Sequence, residues 1–317
     1  NSYSCGSDDG SCCFGCCCSA YIKTPAPTPA PTPAPASSGL TSYCPKSSDL
    51  IVAYGSATLV NRGWTISAGG AAATKASFNL LGGSVEFDVS FAKVPVGVNA
   101  NVYTISPSGL ASTGFTQQTY CDGQGTGSSW CLEFDWIESN GNCGGASTLH
   151  TVAGPGSNAC TAWGCSASYY YNSQPSFHMK ISYGTDGSFT ITRNGNVITA
   201  STLSPTAGSS DFATIKSIMS SVGSVVYSSQ WVGWVPVSSC GGGGSLSSAV
   251  FTVSNLKVTG KVVQGPTPTK CQNALFIVVS NPPSFHASRP KYRHTCCSLL
   301  QDVDLFRCED MRISIRQ

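Results

Sequence analysis

The sequence predicts an all-β fold, a β-sandwich with one short helix, built from residues 39–262. Three observations carry that reading. Short strand-like runs recur between turn signals, several of them alternate apolar and polar residues, and only one stretch has helical spacing. The runs are Ser84–Ala92, Ala100–Ser106, Cys131–Ile137, Phe177–Tyr183, Ser188–Arg193, Tyr227–Val235 and Ala249–Thr259. Phe177, Met179, Ile181 and Tyr183 alternate with polar residues, as a half-buried antiparallel strand requires. Val250, Phe251, Val253, Leu256 and Val258 repeat the pattern less regularly. Asp186-Gly187 and Asn194-Gly195 read as hairpin turns, since both residues of each pair can take positive φ. The helix is expected at Asp211–Ser220, with Phe212, Ile215, Ile218 and Met219 on one face and Asp211 capping its start.

The flanks have different compositions. Residues 1–23 hold six cysteines and read as a Cys-rich fragment. Adjacent cysteines fit the spacing of zinc sites poorly, so metal is not expected there. Residues 24–38 form a Pro/Thr/Ala spacer that stays extended in polyproline II, with Thr and Ser open to O-glycosylation. Residues 263–317 turn basic and lose any period, and read as an irregular tail, a degenerate module or a read-through.

Only 10% of the 317 residues are charged, against about 25% in ordinary soluble domains, and the net charge is +2. No basic stripe offers itself to nucleic acid, and no apolar run is long enough for a membrane span. Seventeen cysteines imply disulfides and secretion. The chain begins at Asn1, as after removal of a signal peptide or in a fragment. A monomer that meets neutral polysaccharide outside the cell is expected.

Residues 39–262 contain nine acidic side chains, and three of them fall in Glu133-Phe134-Asp135-Trp136-Ile137-Glu138. On a strand Glu133 and Asp135 share a face, and a one-residue bulge returns Glu138 to it. Carboxylates packed this closely repel, so one should stay protonated near neutral pH. Retaining glycoside hydrolysis needs that arrangement, a carboxylate nucleophile and a protonated acid about 5–5.5 Å apart. A solvated acidic face fits poorly beside Phe134, Trp136 and Ile137. Calcium fits poorly too, because its ligands normally come from irregular loops. Trp136 alternates away from the carboxylates and is expected in the core. Acid/base cleavage needs no cofactor, and none is expected.

Glu-x-Asp-x-x-Glu on a sandwich strand resembles the clan of glycoside hydrolase families 7 and 16, which implies a concanavalin A-like jelly roll. Further segments resemble family 7, the cellulases, over about 180 residues in the same order. Phe87–Ser90 with Val94–Tyr103 is similar to FDVxxxxLPCGLNGALY, Tyr120–Gln124 to YCDSQ, the cluster itself to CCSEMDIWEAN, Thr148–His150 to TPH and Val250–Val258 to VTYSNIKF. The resemblance implies that Glu133 is the nucleophile, Asp135 its partner and Glu138 the general acid/base of a retaining endo-β-1,4-glucanase. It further implies that Tyr103, Gln124 and His150 contact substrate. Read by itself, Tyr103 fits the core equally well, and His150 is open to a surface or core role.

Family 7 members pair the cysteines of YCDSQC with those of CCSE. Here Cys121 and Cys131 remain and the second pair is jointly replaced by Gly125 and Trp130, so the resemblance implies a Cys121–Cys131 disulfide. Cys160 and Cys165 can close a short loop. Cys240 lacks its family partner, replaced by Val96, and must pair elsewhere or stay free. Seven cysteines in residues 39–262 leave at least one unpaired within that segment. The segment is much shorter than family 7 domains, which implies an open cleft and internal attack. Trp163, Trp231 and Trp234 can stack on sugar rings. Trp231 and Trp234, three apart on one run, should face opposite ways, with Trp231 in the cleft and the other in the core. A β-1,3- or mixed-linkage glucanase of the family 16 type shares the carboxylate motif. A wall-binding lectin on the same sandwich would not need all three carboxylates, and a structural wall protein would share the Cys-rich and Pro-rich start.

Overall fold

The computed structural model describes residues 39–125, 129–151 and 158–272. The expected Cys-rich start, the Pro/Thr/Ala spacer and the tail beyond residue 272 lie outside the described residues. In chain order the strands are β1 (Thr41–Tyr43), β2 (Leu50–Val60), β3 (Gly63–Thr74), β4 (Ser77–Lys93), β5 (Asn99–Ile105), β6 (Cys121–Asp122), β7 (Ser129–Trp130), β8 (Glu133–Asn140), β9 (Gly144–His150), β10 (Cys165–Tyr170), β11 (Ser176–Tyr183), β12 (Phe189–Arg193), β13 (Asn196–Thr199), β14 (Val225–Trp231) and β15 (Val250–Gln264). One α-helix, α1 (Ser209–Ser221), precedes β14. Among the described residues the fold is all-β with this single α-helix.

Hydrogen bonding joins most strands into one antiparallel sheet in the order β10-β9-β8-β5-β14-β3-β15-β4-β11-β12-β13. That sheet is folded over into two layers. Trp64–Ser67 of β3 pair with β15, whereas Ala71–Ala73 pair with β14, and β2 flanks β3 through both stretches. The turn of direction falls at glycines. Gly55 has φ +61° and Gly69 φ +82°, and a Cβ on Gly70 would lie 2.1 Å from the Ser56 carbonyl oxygen. Only glycine lets the two backbones pass so closely there.

Contacts between strands far apart in the sheet order show the layers facing each other. Phe87 of β4 stacks on Trp136 of β8, and Phe134 of β8 meets Phe189 of β12 edge-on at 4.6 Å. The Trp136 indole N–H donates to the Tyr183 hydroxyl at 3.0 Å, which satisfies the one polar group of this fully buried ring. Trp136 is therefore core. Ile215 and Met219 of α1 are buried, and Phe212 meets Phe189 edge-on.

A second apolar cluster lies on the other side of the β8-bearing layer. Ala71, Ala73, Tyr103, Ile105, Val225 and Tyr227 of the strands are covered there by Phe115, Cys121 and Cys131 of the β5–β8 connection. Burial on both faces explains strands that the residue pattern does not reveal. Ala71–Ala73 of β3 are buried whichever way they point, and all of β9 is buried, so neither alternates.

Local expectations need some corrections. Asn194 and Gly195 both have positive φ between β12 and β13, but at Asp186-Gly187 only Gly187 does. The helix N-cap is Gly208. Asp211 sits in the first turn and accepts the Gly208 N–H at 2.8 Å. β14 ends at Trp231 rather than Val235. β15 runs to Gln264 and Cys271 bonds to Cys44, which carries the folded unit past residue 262. Cys121 pairs with Cys131, Cys160 with Cys165, and Cys240 with Cys143. Four disulfides are the pattern of a secretory-pathway protein.

Candidate active site

Strand β8 turns one face to the core and the other to a cleft of about 720 Å³. Glu133 and Asp135 reach the cleft by ordinary alternation. Glu138 reaches it through a β-bulge seen from both neighbouring strands. On the β5 side Ile137 lies opposite Val102 and Asp135 opposite Tyr103, so Trp136 is the extra residue. On the β9 side the three steps from Asp135 to Glu138 match the two from Thr148 to Ala146. Without the bulge Glu138 would point into the core.

All three carboxylates are buried, at 9%, 3% and 8% exposure in chain order. Glu133 accepts the backbone N–H of Gly123. A Cβ on Gly123 would lie 2.4 Å from the Cβ of His150, so the loop can come this close only with glycine there. Glu138 accepts from the Asn99 amide and the Thr148 hydroxyl, each at 3.1 Å. Asp135 faces His150, with 3.4 Å between Oδ2 and Nε2. The His150 Nδ1 lies 3.0 Å from the Ala162 carbonyl oxygen. A carbonyl can only accept, so Nδ1 carries a proton and Nε2 is left to Asp135.

Burial pushes the Glu133 carboxyl well above the usual range, and the charges of Asp135 and Glu138 add to the rise against the pull of His150 and the Gly123 N–H. Burial, then Glu138, pushes Asp135 well up. Glu138 rises less, because Asn99, His150 and Thr148 offset its burial. The cluster therefore holds protons at a pH where free carboxyls have lost them. It can present an acid and a base side by side. Among the described residues, Glu133, Asp135 and His150 also bring one donor atom each within 4.8 Å of one another, a grouping able to hold a cation.

Apart from Asp122 and His150, the rest of the cleft is lined by aromatic or uncharged residues. Tyr103, Gln124, His150, Trp163 and Trp231 all line it. Tyr103 is buried, with its hydroxyl 3.3 Å from that of Tyr120 and its ring 5.1 Å from Tyr227. Trp163 stands 84% exposed at the rim. Trp234, expected in the core, departs from expectation. Trp231 and Trp234 both line the cleft, at 36% and 52% exposure, and their rings stack at 6.4 Å. The strand stops at Trp231 and the chain turns at Gly233, φ +125°, so strand alternation no longer applies. Tyr54, Asn101, Gln117, Tyr120, Asp122, Thr148, Tyr227 and Ser229 also line the cleft, without having been singled out from the sequence. Alternation places Tyr227 and Ser229 on one face of β14, and Tyr120 and Asp122 lie within the YCDSQ-like segment, so those four left a signal. Tyr54 and Gln117 left none.

No protein-family model matches the chain, and no curated protein matches it in sequence. Solved structures show a distant likeness. The Humicola insolens endocellulase EGI superposes with a TM-score of 0.45 and 16% identity, over 63% of this chain and 76% of that one. A family 7 cellobiohydrolase from Daphnia pulex gives 0.44 and 13%, over 67% and 80%. The catalytic domain of an endo-1,3-β-glucanase (laminarinase) from Thermotoga petrophila gives 0.38 and 13%, over 61% and 69%. Values of this size leave the functional reading to the site itself.

Proposed function

We propose that this protein is a retaining endo-β-1,4-glucanase that hydrolyses internal bonds of cellulose or a related β-glucan. The observation that carries the reading is the β8 bulge, which gathers Glu133, Asp135 and Glu138 on the floor of an aromatic cleft. Glu133, as carboxylate, attacks the anomeric carbon. Glu138, protonated, delivers its proton to the departing glycosidic oxygen. The reading requires the proton held by the cluster to sit on Glu138 at the moment of attack, against the higher proton affinity of Glu133, with Asp135 between the two in sequence. Water then cleaves the glycosyl-enzyme, with Glu138 as base. Tyrosine and tryptophan faces suit the apolar C–H faces of pyranose rings, and the neutral polar groups of Asn101, Gln124 and Ser229 suit hydroxyls.

The test is reducing-sugar release by the full chain from carboxymethyl-cellulose, mixed-linkage β-glucan and laminarin, with Glu133→Gln as control. Release from the cellulose derivative or the mixed-linkage glucan that vanishes in the variant is expected, with the β-anomer as first product by NMR. Cleavage of laminarin alone would transfer the same carboxylates to a β-1,3-glucanase. Binding without cleavage by a folded preparation would overturn the enzymatic reading. Mainly cellobiose at the earliest times would overturn internal attack.

A further inference from the structure

Asp211 is the fourth deeply buried carboxylate of the described chain, 1% exposed, and it lies outside the cleft lining. Among the described residues it makes no ion pair. Its Oδ2 accepts the Gly208 N–H, which serves the helix start. Its Oδ1 reaches away from the helix. It accepts the Cys160 N–H at 3.1 Å and lies 2.6 Å from the Thr151 hydroxyl. Thr151 directly follows His150, and its N–H donates to the Cys160 carbonyl at 2.9 Å. Asn158 adds a brace, donating to Thr151 Oγ1 at 3.1 Å and to Thr214 Oγ1 of α1 at 2.9 Å.

The loop that begins at Cys160 is closed by the Cys160–Cys165 disulfide and lies against the His150 ring. A Cβ on Gly164 would come within 2.9 Å of His150 Cε1. The same loop carries the Ala162 carbonyl that holds Nδ1, and Trp163 at the cleft rim. Fixing Thr151 and Cys160 to one carboxylate thus fixes both ends of the support around the imidazole. A helix start needs only the Gly208 contact. The contacts of Oδ1 serve the neighbour of His150 and its loop.

We infer that Asp211 is a positioning residue for the cleavage reaction, tying the His150 strand end and the Cys160–Cys165 loop to α1 so that the imidazole presents Nε2 to Asp135. The kinetic part rests on the glucanase reading, and the geometric part does not.

Asp211→Asn and Thr151→Val in the full chain test it, below their unfolding temperatures. Nitrogen NMR of the imidazoles, with the His150 signal assigned by His150→Gln, reads the tautomer directly. In the unmodified chain Nδ1 of His150 should carry a proton, held by the Ala162 carbonyl. Asp211→Asn should mix the tautomers and lower kcat by about ten- to a hundredfold, with KM within about threefold. Thr151→Val should act in the same direction, by about three- to tenfold. An unchanged tautomer in both variants overturns the proposal, even if stability falls, because a merely structural carboxylate would lower stability alone. If the unmodified chain cleaves no glucan, the glucanase reading fails, while the NMR result still decides whether Asp211 sets the imidazole.

Discussion

The same tripeptide, Glu-Phe-Asp, occurs on two strands of this protein and behaves oppositely in the two. On β4 it is Glu86-Phe87-Asp88, and on β8 it is Glu133-Phe134-Asp135. Both phenylalanines point into the core, so in each case the two carboxyls share the opposite face. On β4 that face carries cations. Burial would raise Glu86, but Lys257 and Lys180 outweigh it, with Lys180 Nζ 3.3 Å from Oε1, and the carboxyl is held low. Asp88 is likewise held low against its partial burial by Asn255 and His178, with His178 Nδ1 at 2.7 Å. On β8 no lysine or arginine among the described residues lines the cleft, the face is buried, and Glu138 is brought in as a third like charge. There the carboxyls are pushed up. Spacing gives two acidic groups on one face of a strand. The neighbours on adjacent strands decide whether they form an ion-paired surface or a proton-holding site.

The strongest way to break the contrast is to neutralise each pair in turn. Glu133→Gln or Glu138→Gln should cut kcat/KM by about a hundred- to ten-thousandfold, and Glu86→Gln or Asp88→Asn should leave it within about twofold. Comparable losses from both strands would remove the assignment of chemistry to β8.

Stability against pH should separate the pairs by sign. The β8 carboxyls have raised affinity for protons in the folded state. They therefore weaken the fold as pH climbs from about 4 toward their folded values. Asp135→Asn should raise the neutral-pH melting temperature by about 2–4 °C, a gain that disappears below about pH 4. The β4 carboxyls are lowered, so their contribution is complete above about pH 4 and fades as pH falls through their folded values. Glu86→Gln should therefore give no neutral-pH gain in calorimetry.

The aromatic rim sharpens the comparison further, because β4 has no counterpart to it. Trp163→Ala and Trp234→Ala should raise KM by about three- to tenfold with kcat nearly kept, read from initial rates on the cellulose derivative. The smallest effect is expected on β4 itself. In Lys180→Met combined with Lys257→Met, the Glu86 carboxyl should titrate at higher pH by NMR, with glucan cleavage unchanged.

Short-range rules made much of this legible from the residues. Alternation in Phe177–Tyr183 marked β11, spacing of Phe212, Ile215 and Met219 marked α1, and the three-residue step from Asp135 to Glu138 demanded a bulge. Each depends on residues a few positions apart, whose relative directions the backbone fixes. The rule failed where its premise failed. Strand alternation does not relate Trp231 to Trp234, because the strand ends at Trp231.

Local patterning along the chain is enough for an all-β fold, the strand that bears the carboxylates and the side of it on which they gather. The tertiary structure alone decided that Cys143 meets Cys240 and Cys44 meets Cys271, across 97 and 227 positions. It decided that β3 serves both layers, that two tryptophans stack over the cleft, and that Asp211 reaches back to the neighbour of His150. The physical reason is range. Periodicity and turn chemistry act along the chain, whereas burial, charge environment and disulfide pairing depend on which distant segments the folded sheet brings together.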